Sequence, residues 1–230
     1  HGIYLGENYE IFFTMKIVNA FLTVIALTLC TQAPGQDKKV YSTTIIEFPF
    51  TWSNATDNGE ELTGPVRFAP VFNFQNNINM DISEKAGVFA GLGIRNLGFI
   101  YDVDENTKKK VRTYNLGIPV GFKFGNMNSS YVYAGYEIEF PLVYKEKTFI
   151  DEEKTKFSTW FSERTAIQQS VLVGIQMPHG TNIKFKYYFT NFYKESYTDS
   201  TGQPYQNFNA NIYWISLNIV LFRDMDFTYD

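Results

Sequence analysis

From Tyr114 to Phe124 the chain keeps an unbroken period of two. Tyr114, Leu116, Ile118, Val120, Phe122 and Phe124 fall on one face, and Asn115, Gly117, Pro119, Gly121 and Lys123 fall on the other. Successive side chains of a β-strand point to opposite sides of the sheet, so this segment is a strand with one continuous oily face. The same period returns in Val132, Ala134, Tyr136, Ile138, Phe140 and Leu142, in Ile183, Phe185, Tyr187 and Phe189, and in Tyr213, Ile215, Leu217, Ile219 and Leu221. Aromatic residues make up 18% of the 230-residue chain, and their concentration in these runs favours strands over helices.

After residue 37 eight such segments alternate with turn-rich punctuation, at 40–52, 66–78, 87–102, 111–125, 131–145, 166–177, 182–194 and 210–222. Each exceeds the usual soluble strand of about five to six residues and suits a tilted strand that crosses a bilayer in about 9 to 11. The connections 53–65, 103–110, 146–165 and 195–209 read as long or polar, and 79–86, 126–130 and 178–181 as short. Long loops at one end and tight turns at the other are expected of an outer-membrane barrel. The predicted fold is all-β, a closed antiparallel up-and-down barrel of about eight transmembrane strands. Alternation alone also permits a soluble sheet with an aromatic core.

The faces opposite the oily ones carry Glu47, Arg67, Arg95, Lys123, Glu137, Glu139, Lys184 and Lys186, interspersed with Gly91, Gly93, Gly117, Gly121, Gly135 and Gly174. In a narrow barrel these point inward, where both charge signs allow a network of ion pairs in the lumen. Trp52, Tyr101, Tyr114, Tyr144, Tyr193 and Tyr213 lie near strand ends and suit the aromatic girdles of a membrane protein, whereas Trp214 has inward parity. The region 146–165 holds Phe149, Ile150, Phe157, Trp160 and Phe161, read either as a contact patch for a protein or glycan or, preferably, as part of a hairpin extended above the barrel.

Ahead of the strands, Met15-Lys16, the apolar run Ile17 to Leu29 and a small-residue exit near Gly35 have the three parts of a secretory signal, placed at 15–36. Residues 1–14 read as a non-native upstream extension, and 37–230 as one barrel domain whose cysteine count is zero because Cys30 lies in the signal. A net charge of −4 with scattered lysines gives no nucleic-acid footprint. His1 precedes the signal, and His179 sits in a predicted turn, so neither offers a hydrolase triad or a histidine metal site. Asp151, Glu152 and Glu153, flanked by lysines, read as a solvated acidic loop. Gly91-Leu92-Gly93 lacks a following helix, and no cofactor, metal or catalytic residue is expected.

The run Arg112 to Phe124, with its Tyr114, Leu116 and Ile118-Pro119, resembles a strand of the small outer-membrane β-barrel domain family of Gram-negative bacteria. Tyr133-Ala134-Gly135-Tyr136 and Val171-Leu172-Val173-Gly174 resemble that family's glycine-bearing strands. The resemblance implies a barrel, an outer-membrane location and its topology, and brings no catalytic residues. The expected role is non-enzymatic, structural or in surface interaction through the loops, with outer-membrane lipid and another envelope or surface protein as partners. The alternatives are a soluble periplasmic lipocalin-like barrel with an apolar ligand inside, or a small pore or transporter. One departure concerns the end of the chain, where Phe222 is followed by Arg223 to Asp230, so that the closing aromatic is Phe227 or Tyr229 or is atypical.

Overall fold

The computed structural model describes residues 39–151 and 153–224, with side chains to 221. The expected upstream extension and signal with Cys30, the candidate residues His1 and Glu152, and the terminal Phe227 and Tyr229 lie outside the described residues.

The elements are β1 (Lys39–Asp57), β2 (Glu60–Leu62), β3 (Arg67–Phe68), β4 (Phe74–Ser83), β5 (Ala86–Asp102), β6 (Thr107–Gly125), β7 (Tyr131–Ile150), β8 (Glu153–Trp160), β9 (Gln168–Gln176), a 3-10 turn at Pro178–Gly180, β10 (Thr181–Tyr188) and β11 (Phe208–Asp224). All pairings are antiparallel. The wall runs β1-β4-β5-β6-β7-β9-β10-β11, and β11 pairs back onto β1 from Asp57↔Phe208 to Ser42↔Asp224, which closes an eight-stranded barrel. Closure leaves no open edge in the wall.

β2, β3 and β4 descend beside β1 as one broken strand, meeting it at Ala55↔Leu62, Phe50↔Phe68 and Ile46↔Phe74. This corrects the segment expected at 66–78, because the regular strand begins at Phe74 and runs through the presumed turn 79–86 to Ser83. Asn79 and Asp81 fall in that presumed turn, yet with Asn77 they are the buried, inward half of an alternating strand whose outward half includes Phe74, Ile78 and Ile82. A polar lumen makes asparagine a strand-interior residue.

Three of the expected loops are also strand for much of their length. β1 continues through the region 53–65 to Asn58-Gly59, where φ values of +50° and +87° form the two-residue turn that suits asparagine-glycine. β6 starts at Thr107 and β7 runs to Ile150, and β7 then pairs with β8 from Ile150↔Glu153 to Val143↔Trp160. The β6-β7 hairpin thus rises with β8 added at one edge, while β5 accompanies β6 at the other as far as Asp102↔Lys108. In the opposite sense, the segment expected at 182–194 ends at Tyr188, and 189–207 forms a connection that folds into the barrel mouth.

Candidate functional site

Strand parity sorts the side chains in the reverse of a soluble protein. Phe122, Phe124, Val171, Ile175, Leu217 and Ile219 are exposed on the outside, whereas Glu47, Arg95, Glu137, Glu139, Lys184 and Lys186 are buried inside. The interior falls into three levels.

The middle level is ionic. Arg95 donates from Nε to Glu137 Oε1 at 2.8 Å, lies 3.4 Å from Glu47 Oε1, and also binds Gln75. Lys184 donates to Glu47 at 2.5 Å. Lys186 lies 2.8 Å from Glu137 Oε2 and 2.6 Å from Glu139 Oε1, which also accepts from the Tyr188 hydroxyl at 2.5 Å. Asn115 donates to the second oxygen of Glu139 at 2.9 Å. Three carboxylates and three cations therefore cancel in charge, the condition under which ions survive burial. Glycine makes the room, since a Cβ on Gly117 would stand 2.3 Å from Glu137 Oε1.

Toward the turn end, Lys123 contacts Asp81 Oδ1 at 2.7 Å and accepts company from Tyr41, to whose hydroxyl it donates at 3.0 Å. Lys123 is therefore in a second, separate ion pair whose acid, Asp81, sequence reasoning did not single out because it was read as part of a turn. Arg67 is corrected outright. It is buried, but donates to the backbone and side-chain oxygens of Asn96, stapling the broken strand β2-β3-β4 to β5 instead of joining the carboxylates. A cavity of about 40 Å³ remains between these two ionic levels, lined by groups such as Asn79, Tyr133, Asn182 and Asn218. That is space for a few water molecules.

Toward the loop end the interior turns apolar. Leu97, Phe99, Val111, Ile212 and Trp214 from the wall meet Phe192 and Tyr193 from the folded-in connection. Tyr193 stacks on Tyr205 with ring centres 4.0 Å apart and planes 5° from parallel. Burial and the nearby Glu146 carboxylate push the Tyr205 hydroxyl up to about 12. Trp214 points inward as its parity requires. Of the expected girdle, Trp52 and Tyr213 stack on the outside at 5.6 Å, and Tyr114 also faces out. Tyr101, Tyr144 and Tyr193 instead belong to this plug. Tyr101 shares the inward parity of Arg95. Tyr144 is turned inward by a bulge in β7, where Tyr114 pairs with Val143 but Asn115 pairs with Pro141, leaving Leu142 as an extra residue that reverses the parity beyond it.

The five residues of the 146–165 region divide between faces. Phe149 is on the outer face of the raised sheet, and Ile150 and Phe157 are on the inner one, where the Arg164 guanidinium lies 4.5 Å over the Phe157 ring. Trp160 and Phe161, 69% and 72% exposed, stand together where β8 returns to the barrel. Asp151 forms the tip of the hairpin at φ +45°, and His179 sits in the turn at the other end at φ +66°. Among the described residues no three His, Cys, Asp or Glu side chains gather as a metal site.

The chain is an eight-stranded barrel, oily outside and ionic within. No protein-family model and no curated protein matches it. Among solved structures it is similar to the attachment invasion locus protein Ail of Yersinia pestis in complex with the heparin analogue sucrose octasulfate, at TM-score 0.39 and 13% identity over 80% of this chain and 99% of that one. It is also similar to Neisserial surface protein A, at TM-score 0.35 and 10% identity with the same coverage of 80% and 99%. The fold assignment rests on this chain's own strand pairing.

Proposed function

We infer that this protein is an outer-membrane β-barrel that spans the bilayer as a plugged, non-conducting anchor and acts through the structures it raises above the membrane, without enzymatic activity. The observation that carries this reading is the inversion of burial. A soluble monomer rarely exposes a contiguous apolar patch beyond a few hundred Å². Here the outward positions of β4, β6, β9 and β11 form an apolar belt, with Phe50, Phe68 and Phe185 from neighbouring strands. Lipid is the solvent that such a surface requires.

The same inversion disfavours a lipocalin-like carrier, whose ligand cavity would be lined by the apolar face. The pore reading is disfavoured by the aromatic plug and by a residual cavity of about 40 Å³. What projects beyond the belt is the β6-β7-β8 sheet and the 189–207 connection, and surface interaction is assigned to these.

The test is to fractionate expressing cells and to run the envelope fraction on a gel with and without boiling. An outer-membrane band that migrates faster unboiled is the expected result. A soluble periplasmic protein overturns the reading.

A further inference from the structure

Above the apolar belt, the outer face of the raised sheet changes abruptly in chemistry. The register aligns it in three rows across β6, β7 and β8. Nearest the belt, Arg112 is opposite Lys145, which is opposite Ser158. In the next row Lys110, Lys147 and Lys156 stand side by side. In the third, Lys108 and Lys154 flank Phe149. These positions share parity with Tyr114, Leu116 and Ile118 lower on the same strand, so the basic face is the upward continuation of the lipid-facing one.

Over β6, β7 and β8 the face carries seven cations and no carboxylate, and its first acid is Asp102 on the adjoining β5, opposite Lys108. Lys108 reaches Asp102 on β5 at 3.5 Å. None of the other six has a carboxylate within ion-pair distance among the described residues. The acids of β7 and β8 in this region, Glu146 and Glu153, have inward parity, and Glu146 serves Lys109 at 3.7 Å and Arg164 at 3.9 Å. Lys145 and Arg112 lie over the Tyr114 ring at 5.1 and 5.5 Å, so the lowest row rests directly on the aromatic edge of the belt. Partial burial first, and the neighbouring cations second, pull Lys110 and Lys147 below the ordinary lysine range.

Like charges directly opposite one another destabilise a sheet. A chain with a net charge of −4 has carboxylates to spare, yet places none here. Two residues of strand rise about 6.6 Å, and a tilt of roughly 40° makes each row about 5 Å higher than the last along the membrane normal. The three rows therefore cover the depth of a headgroup layer, facing sideways into it.

We propose that the outer face of the β6-β7-β8 sheet, centred on Lys110, Lys147 and Lys156, binds the phosphate groups of the lipid headgroups surrounding the barrel in the outer leaflet. The assignment rests on the membrane reading above. Contact with the belt at Tyr114 and the sideways aspect of the face select the lipid over a soluble anion. Binding orders the raised sheet and fixes the height of the barrel in the membrane, leaving the exposed tip, at Ile150 and Asp151, for contacts in the surrounding medium.

The experiment uses the full mature chain refolded into nanodiscs of phosphatidylcholine alone, of phosphatidylcholine with diphosphorylated lipid A, and of phosphatidylcholine with dephosphorylated lipid A. The readout is the temperature at which the fast-migrating form is lost on a gel. Diphosphorylated lipid A is expected to raise it by about 5 °C at low salt, an effect that shrinks as ionic strength rises. The dephosphorylated lipid is expected to have no effect. In the Lys110→Gln/Lys147→Gln/Lys156→Gln variant the shift is expected to vanish, while Lys85→Gln, in a turn at the opposite end, keeps it. A shift that survives in the triple variant, or that the dephosphorylated lipid also produces, overturns the proposal. So does a response to a soluble sulfated oligosaccharide with none to lipid A, which would move the face's partner to the medium. A chain that never gives a fast-migrating form overturns the membrane reading and this assignment with it; a barrel that inserts and ignores phosphate overturns this assignment alone.

Discussion

Replacing Arg95 by methionine tests whether the lumen network is as tightly balanced as its geometry indicates. The guanidinium is fully buried and contacts Glu137 at 2.8 Å, Glu47 at 3.4 Å and the carbonyl of Phe74 at 3.2 Å. Its removal leaves three carboxylates facing two lysines in a space with no bulk water. Taking away one partner of a buried pair costs about 3–5 kcal/mol, because the other charge remains. Methionine fills most of the volume, so the loss measures charge and hydrogen bonding more than a cavity. Lys186 still holds Glu137, and Lys184 still holds Glu47, which places the expected loss near 3 kcal/mol in that range.

The matched variant Arg95→Met/Glu137→Gln restores neutrality, with Glu47 and Glu139 against Lys184 and Lys186. It is expected to recover about 1–2 kcal/mol relative to the sum of the two single losses. The assay is urea unfolding and refolding in lipid vesicles, followed by tryptophan fluorescence, as a double-mutant cycle. Strict additivity of the two substitutions would refute the reasoning, since independent losses mean that the two side chains do not share an electrostatic balance.

Leu217→Arg places a charge midway along β11 on the outer face, between Ile183 and Phe48 in register, and should cost about 2–4 kcal/mol in vesicle refolding; near-neutrality would contradict a lipid-facing position. Tyr193→Ala removes the centre of the aromatic plug and should lower stability by about 3–5 kcal/mol and free the backbone at the adjacent, already exposed Lys194, so that a faster tryptic cut there reports the opening of the 189–207 connection. Hydrogen bonds from the Thr201 hydroxyl and amide hold the Asp199 carboxyl below the ordinary aspartate range. A depressed folded-state value means that this local stabilisation is complete above the unfolded pKa and is lost as pH falls through the folded one. Amide exchange at Thr201 should therefore stay slow at pH 5 and accelerate only below about pH 4, whereas acceleration on raising the pH beyond the intrinsic base-catalysed trend would reverse the sign.

Period-two alternation was enough to read the wall strands, the outward residues Leu116 to Phe124, and the inward Arg95, Glu137, Glu139, Lys184 and Lys186, because parity follows from the pleat and needs no knowledge of neighbours. The second half of β4 was misread as a turn for a related reason. Asn79 and Asp81 are loop formers next to water, and only the presence of a polar lumen makes them strand residues. The basic face above the belt was hidden because its cations are scattered over positions 108–156 and come together only through register.

Local sequence thus determined the oily and the polar side of each strand, since parity depends only on residues two apart, but not where the strands end. Tertiary structure decided the rest. The bulge at Leu142 reversed the parity of Tyr144 and moved it from an expected girdle into the plug. The break in the descending strand took Arg67 away from the carboxylates and gave it to Asn96. Closure of β11 on β1 set which lysine meets which glutamate, bringing Lys184 within 2.5 Å of a residue 137 positions away. A strand's alternation is fixed by its own backbone geometry, whereas partner, height and the effect of one inserted residue are fixed only when eight strands must share hydrogen bonds around a ring.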